Sequence, residues 1–173
     1  MARQNVSVDK NSREYHEQQI AGARSTLLFV LVLTLVNVGM ILANSSMFFL
    51  FSVFVPYIVV MFGRNMDAGM FGSYTTAALV IAVVIIVIFA LCWLLSKKKH
   101  GLLTLAAVLF GLDTVALLFF TFVLAADPAG QIVDILLHIY VLVYLIRGSV
   151  HAGKLKKQTE ETLEDPASTG VEF

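Results

Sequence analysis

Polar and apolar positions along this chain separate into long blocks, with none of the short alternations of a half-buried strand. Residues 1–24 are mostly polar, and Ser25–Ala43 is the first apolar run. Asn44-Ser45-Ser46 carries no charge, and the Phe-rich stretch Met47–Gly63 follows it. Three further runs come next, Thr75–Ser96, Gly101–Ala125 and Gln131–Arg147, before the chain turns polar again over 148–173. An α-helix rises about 1.5 Å per residue, so about 20 residues cross roughly 30 Å of hydrocarbon. The pattern predicts an all-α integral membrane protein with four transmembrane helices, 25–43, 75–96, 101–125 and 131–147. One membrane domain, 25–147, then lies between a polar N-terminal helix (1–24) and a mostly disordered tail (148–173).

The N-terminal block has Asn11 or Ser12 as a helix cap, with Glu14 in the first turn where the helix dipole favours it. That helix is expected to run unbroken into the first span, which acts as a retained signal anchor. At the other end, QTEETLEDPASTGVEF is acidic and poor in hydrophobic residues, the composition of a disordered segment.

Charge decides how Met47–Gly63 is threaded. If it crosses, five spans result and the Lys and Arg residues divide 5:7 across the membrane. If it enters and leaves on the outer side, the division becomes 11:1 with Arg64 alone outside. Basic residues concentrate on the cytoplasmic side, so the second threading is preferred, with both termini cytoplasmic. Pro56 removes a helical hydrogen bond and is expected to split the segment into helical pieces of about nine and seven residues. The prediction is a re-entrant or interfacial element in the outer leaflet, where its five Phe residues and Tyr57 are at home.

Composition agrees: 58% of the 173 residues are hydrophobic and 14% charged, too little polar surface for a soluble domain of this size. One cysteine, Cys92, gives no support to a disulfide framework, a dithiol centre or a Cys-based zinc site. Thr75–Ser96 has no polar side chain from Ala77 to Leu91 and reads as a lipid-facing wall.

Candidate chemistry is sparse. Asp113 sits at the midpoint of its span, where a carboxylate must be paired, protonated or hydrated. Asp134 and His138 share a helix face at i,i+4, with Asp134 expected near the outer interface. Asn37 is near the middle of the first span, and Tyr140, Tyr144 and Arg147 complete the polar set. Counting from the Asp127-Pro128 turn places Asp113 opposite about Leu142, one turn from His138 and within reach of an extended Arg147. Asp113 and His138 can both change charge, which suits a proton or cation relay. The structural alternative has Asp113 neutralised by Arg147 or a Tyr hydroxyl, with Asn37 bridging helices. Ala107-x-x-x-Gly111 and Gly39-x-x-x-Ala43 have the spacing of close helix packing. His16-Glu17 and Lys99-His100, on polar ends, are expected to be solvated, and neither a metal nor a cofactor is expected.

No H-E-x-x-H, G-x-S-x-G, P-loop or G-x-G-x-x-G is present, and only scattered Ser and Thr are available as nucleophiles, so no enzyme activity is expected. The small multidrug-exporter plan needs a first-span glutamate where this chain has Asn37, and dual topology of the fluoride-channel kind conflicts with the charge bias. Expected partners are the bilayer, anionic head groups against the inner basic cluster (His151, Lys154, Lys156, Lys157), and either a protein partner or further copies of this chain. Nucleic acid is not expected.

Leu33-Thr34-Leu35-Val36-Asn37, Asn44-Ser45-Ser46, Phe49-Leu50-Phe51-Ser52 and Val55-Pro56-Tyr57 resemble a pattern in small multi-span membrane proteins of Gram-positive bacteria. The similarity covers about residues 20–65, including a polar N-terminal helix and an aromatic segment. It implies a bacterial plasma membrane and assigns no residue a role. Two functions follow from the residues: a non-catalytic subunit, scaffold or regulator, or a small oligomeric proton-coupled transporter or channel using Asp113 with His138 and Asn37.

Overall fold

A computed structural model describes residues 12–45, 49, 51–67, 72–99, 101–124 and 131–164. Arg3, Lys10, Asn11, His100, the Asp127-Pro128 turn and the tail from 165 onward lie outside the described residues. All regular structure described is helical: α1 (Arg13–Leu42), α2 (Phe54–Met66), α3 (Ser73–Leu95), α4 (Gly101–Phe119) and α5 (Ile132–Glu164). A π-helical turn, Phe120–Leu124, extends α4. Four helices are long and apolar enough to cross a membrane: α1, α3, α4 with its π turn, and α5.

α1 is continuous from the polar block into the first apolar run. Ser12 caps it, its Oγ accepting the Tyr15 N–H at 3.2 Å, with Glu14 in the first turn. α5 likewise does not end at Arg147. It runs to Glu164, so 148–164 is helix where the sequence suggested a disordered tail. Ala152 and Leu155 are buried there beyond the apolar run, in the same apolar cluster as Ile20 and Ala23 of α1.

The long helices alternate in direction. At one end of the bundle Arg24 Nε donates to Ser96 Oγ at 2.9 Å, and its guanidinium also donates to the Trp93 carbonyl at 3.5 Å, engaging the C-terminus of α3. Antiparallel register of α4 and α5 follows from Thr104 Oγ1 against Ser149 Oγ at 2.6 Å and Gly111 against Leu142. At the opposite end, the Arg64 guanidinium donates to the Ile41 carbonyl and to Asn44 Oδ1, joining the end of α2 to the end of α1. Asp67 accepts the Thr75 N–H at 2.6 Å and the Tyr74 N–H at 3.3 Å, capping α3.

The Phe-rich segment differs from the sequence reading. Residues 51–53 are not helical, and a single helix starts at Phe54. Pro56 occupies the third position of its first turn, where a missing N–H costs nothing, so it opens α2 and does not divide it. The chain leaves the Asn44 end of α1, descends beside α1 to the level of Thr34, and climbs back through α2 to Asn44. Hydrogen bonds from Phe49 to Asn37 and from Val53 to Thr34 trace the descent, and Arg64 marks the return.

Small residues set the closest helix contacts, though not all the pairs the spacing suggested. Gly111 meets Leu142, but Gly39 faces open space. The tight positions are Gly63, where a Cβ would lie 2.6 Å from Ala78 Cβ, and Gly148, where it would collide with Ala23. On α3 the buried stripe is Thr75, Ala78, Ala82, Ile86, Phe89 and Cys92, and the remaining Val, Ile and Leu positions are largely exposed.

Candidate functional site

A helix beginning inside an apolar bundle exposes four N–H groups without intrahelical acceptors. For α2 these belong to Val53, Phe54, Val55 and Pro56. Val53, in the cap position, has no capping side chain of its own. Its N–H donates to Thr34 Oγ1 on α1 at 2.8 Å. The Phe54 N–H donates to Asp113 Oδ2 and the Val55 N–H to Asp113 Oδ1, each at 2.8 Å. Pro56 has no N–H. All four positions are therefore accounted for by residues from α1, α4 and α2 itself. A carboxylate facing the positive end of a helix dipole is favoured, and buried charge demands such partners.

The descending strand of chain is held in the same manner. Asn37 Oδ1 accepts the Phe49 N–H at 2.8 Å, while Asn37 Nδ2 donates to the Phe49 carbonyl at 2.7 Å and to Ser52 Oγ at 2.8 Å. A side-chain amide thus pairs with a backbone unit as a neighbouring strand would. Phe51 takes a φ of 68°, a left-handed conformation that costs a non-glycine residue about 1–2 kcal/mol. The surrounding bonds to Phe49, Ser52 and Val53 hold it there.

Behind Asp113 stands His138, with Nε2 3.5 Å from Asp113 Oδ2. Its Nδ1 lies 3.4 Å from Asp134 Oδ1 and 3.0 Å from the Asp134 carbonyl. The imidazole stacks on Phe110, ring centroids 5.3 Å apart and planes 15° apart. Asp113, Asp134 and His138 are 4%, 2% and 1% exposed, so three ionisable groups are buried in a row ending at the start of α2. Two carboxylates flank one imidazole, and the α2 amides supply the remaining positive potential. The row is loosely closed: His138 Nε2 and Asp134 Oδ1 have no hydrogen-bond partner among the described residues.

Of the residues singled out in the sequence, Asp113 and His138 meet directly, and Asn37 joins them only through the backbone of 49–54. Tyr140 and Tyr144 lie on the exposed side of α5, their rings 4.7 Å apart, and Arg147 is exposed as well. None of the three touches Asp113. Asp134 joins this row, because α5 places it one turn from His138 on the buried stripe. Thr34 and Ser52 carried no signal beyond being polar within apolar runs. The polar ends hold one departure: His16 is buried against His151 of α5 and not solvated.

Two of the clefts on the bundle surface are lined by described residues. One of about 380 Å³ is lined by Ser25, Thr26, Phe29, Phe51, Tyr140 and Val141. The other, about 360 Å³, lies at the Asn44 end between α1 and α2. Neither is lined by Asp113, Asp134 or His138. Among the described residues no group of three or more His, Cys, Asp or Glu is arranged to hold a metal ion.

Comparisons with protein-family models, with curated proteins and with solved structures found no match to this chain. The fold itself sets the class, an all-α protein whose four long apolar helices suit a multi-pass membrane protein.

Proposed function

We propose that the protein is a non-catalytic subunit, scaffold or regulator of a bacterial plasma membrane. It has four spans, both termini cytoplasmic, and a Phe-rich segment, 47–63, that is re-entrant or interfacial on the outer side. The observation that carries this reading is the use made of the mid-depth polar residues. Thr34, Asn37 and Asp113 all bind the backbone of 49–55, which makes them the framework of the re-entrant element and leaves them unavailable to line a path. Non-helical backbone at membrane depth needs such protein partners. The orientation rests on charge: Arg24 adjoins Ser96 and the Lys97–Lys99 run at one end, while Arg64 is at the other. Basic residues at the terminal end suit anionic head groups.

The test is affinity purification from native membranes in mild detergent, followed by native mass measurement. A stoichiometric second protein supports the subunit reading. A homo-oligomer that moves protons across liposomes defeats it.

That outcome would favour the second reading, an oligomeric proton-coupled transporter or channel. One observation speaks for it: His138 lies between two buried carboxylates with hydrogen-bonding capacity left over. Such a site can exchange a proton between Asp113 and Asp134 through the imidazole.

A further inference from the structure

Beyond the apolar run, α1 and α5 continue together as a two-helix arm. His16 lies eight residues before Arg24, about 12 Å further out along the helix, and His151 one turn past Arg147. The two imidazoles face each other with Nδ1 to Nδ1 at 2.7 Å, ring centroids 4.9 Å apart. His16 is 1% exposed. Tyr15 sets its ring edge-on to both, 6.1 Å from His16 and 5.4 Å from His151.

A contact of this length between two ring nitrogens needs one to carry hydrogen and the other to offer a lone pair. The pair tolerates one added proton on an outer nitrogen or none. With both rings charged, each nitrogen carries hydrogen and two cations oppose each other across a part-buried contact. We propose that the His16–His151 contact is a proton-operated latch, closing the arm of α1 and α5 near neutral pH and releasing it when both rings become charged.

The surroundings offer no compensation. On α5 the charged neighbours are Arg147 and Lys154, each one turn from His151 and of the same sign as the incoming proton. On α1 the charged neighbours are Arg13, Glu14 and Glu17, all exposed, with Arg13 Nε bonded to Glu17 Oε1 at 2.8 Å. Tyr15 is the remaining titratable group in contact. No carboxylate among the described residues forms an ion pair with either ring. Burial first, then His16 and then Lys154, hold the His151 imidazole below its ordinary range.

The sign follows. A histidine whose native pKa is depressed takes up its proton more readily once the contact opens, so stability is present above the free value near 6.5 and declines as pH falls below it. Against release stand Ile20, Ala23, Ala152 and Leu155, a short apolar contact compared with the bundle core. The latch is therefore local: the arm opens while α3 and α4 stay packed. The inference does not depend on whether the protein is a subunit or a transporter.

Amide hydrogen exchange on the full chain in lipid nanodiscs tests it, with intrinsic rates corrected and α3 as the internal reference. Protection of residues 13–23 and 148–158 is expected to fall, relative to α3, by about tenfold for each pH unit below about 6.5 for each net proton taken up on opening. His16→Gln with His151→Gln is expected to remove that pH dependence while leaving α3 protection unchanged at pH 8. If the double variant loses α3 protection at pH 8, His16→Phe with His151→Phe replaces it; it keeps two aromatic rings and leaves no imidazole, with the same expectation. Equal protection of the arm at pH 8 and pH 5 in the wild-type protein overturns the proposal, as does a pH response that survives the substitutions.

Discussion

Asp113 accepts the backbone N–H of Phe54, 59 residues earlier in the chain, at 2.8 Å. An acid on one long helix thereby caps the start of another, short helix, and its second oxygen takes the next amide, from Val55. The most costly residue of the apolar core is thus also the one that anchors the only backbone segment entering that core without helical structure among the described residues.

Asp113→Asn is the direct check on that relationship. An Asn side chain offers one acceptor oxygen to two amides and turns an N–H₂ group toward the other. Buried hydrogen bonds to a charged acceptor contribute about 1.5–3 kcal/mol each, so a loss of about 2–3 kcal/mol is expected. Thermal unfolding in detergent measures it. An unchanged melting temperature would show that the carboxylate is not what holds α2.

Asn37→Leu keeps the side-chain size and removes three hydrogen bonds, leaving the Phe49 N–H and carbonyl without their partner. A destabilisation of about 1–3 kcal/mol is expected. Exchange of the amides at 49–53 should rise more than that of α3. Uniform loosening of the whole bundle would contradict a local role.

Gly148→Ala places a methyl group into Ala23 Cβ and within 3.1 Å of Leu103 Cδ2, so α1 and α5 must separate. A lower melting temperature is expected, with partial recovery on adding Ala23→Gly. Gly153→Ala on the same helix meets nothing within 4 Å and should gain helix propensity, up to about 1 kcal/mol. Equal behaviour of the two alanine variants would argue against the close contact.

Orientation is open to impermeant thiol labelling in a Cys92→Ser background. Single cysteines at Ser45 and Asn65, which bracket 47–63, are expected to react from one side of the membrane and a single cysteine at Lys98 from the other. Reaction of the Ser45 and Asn65 sites from opposite sides would mean that 47–63 crosses, and would move the Lys97–Lys99 run to the outer face.

The four long helices were legible because membrane crossing is a one-dimensional property: apolar length against bilayer thickness, with basic residues biasing orientation. The continuous α1 with Ser12 as its cap was legible for a similar local reason. The extent of α5 was not, because the stripe formed by Ala152 and Leu155 is short and polar residues dominate the window around it. Pro56 was misread as a break because its effect depends on where a helix starts, and that start is imposed by Thr34 and Asp113 from other helices.

What the sequence determined by itself was therefore the class of fold, the number of apolar helices and the presence of a mid-depth acid that had to find partners. Only the tertiary structure decided which partners. The sequence reading offered Asp113 two sets of partners, His138 in a relay or Arg147 and tyrosine hydroxyls; His138 is beside it, but its hydrogen bonds come from two backbone amides, and His16 is met by His151 across 135 positions. Backbone donors have no residue type to betray them. They become available only where a helix begins, and where α2 begins is settled by packing between segments far apart in the chain.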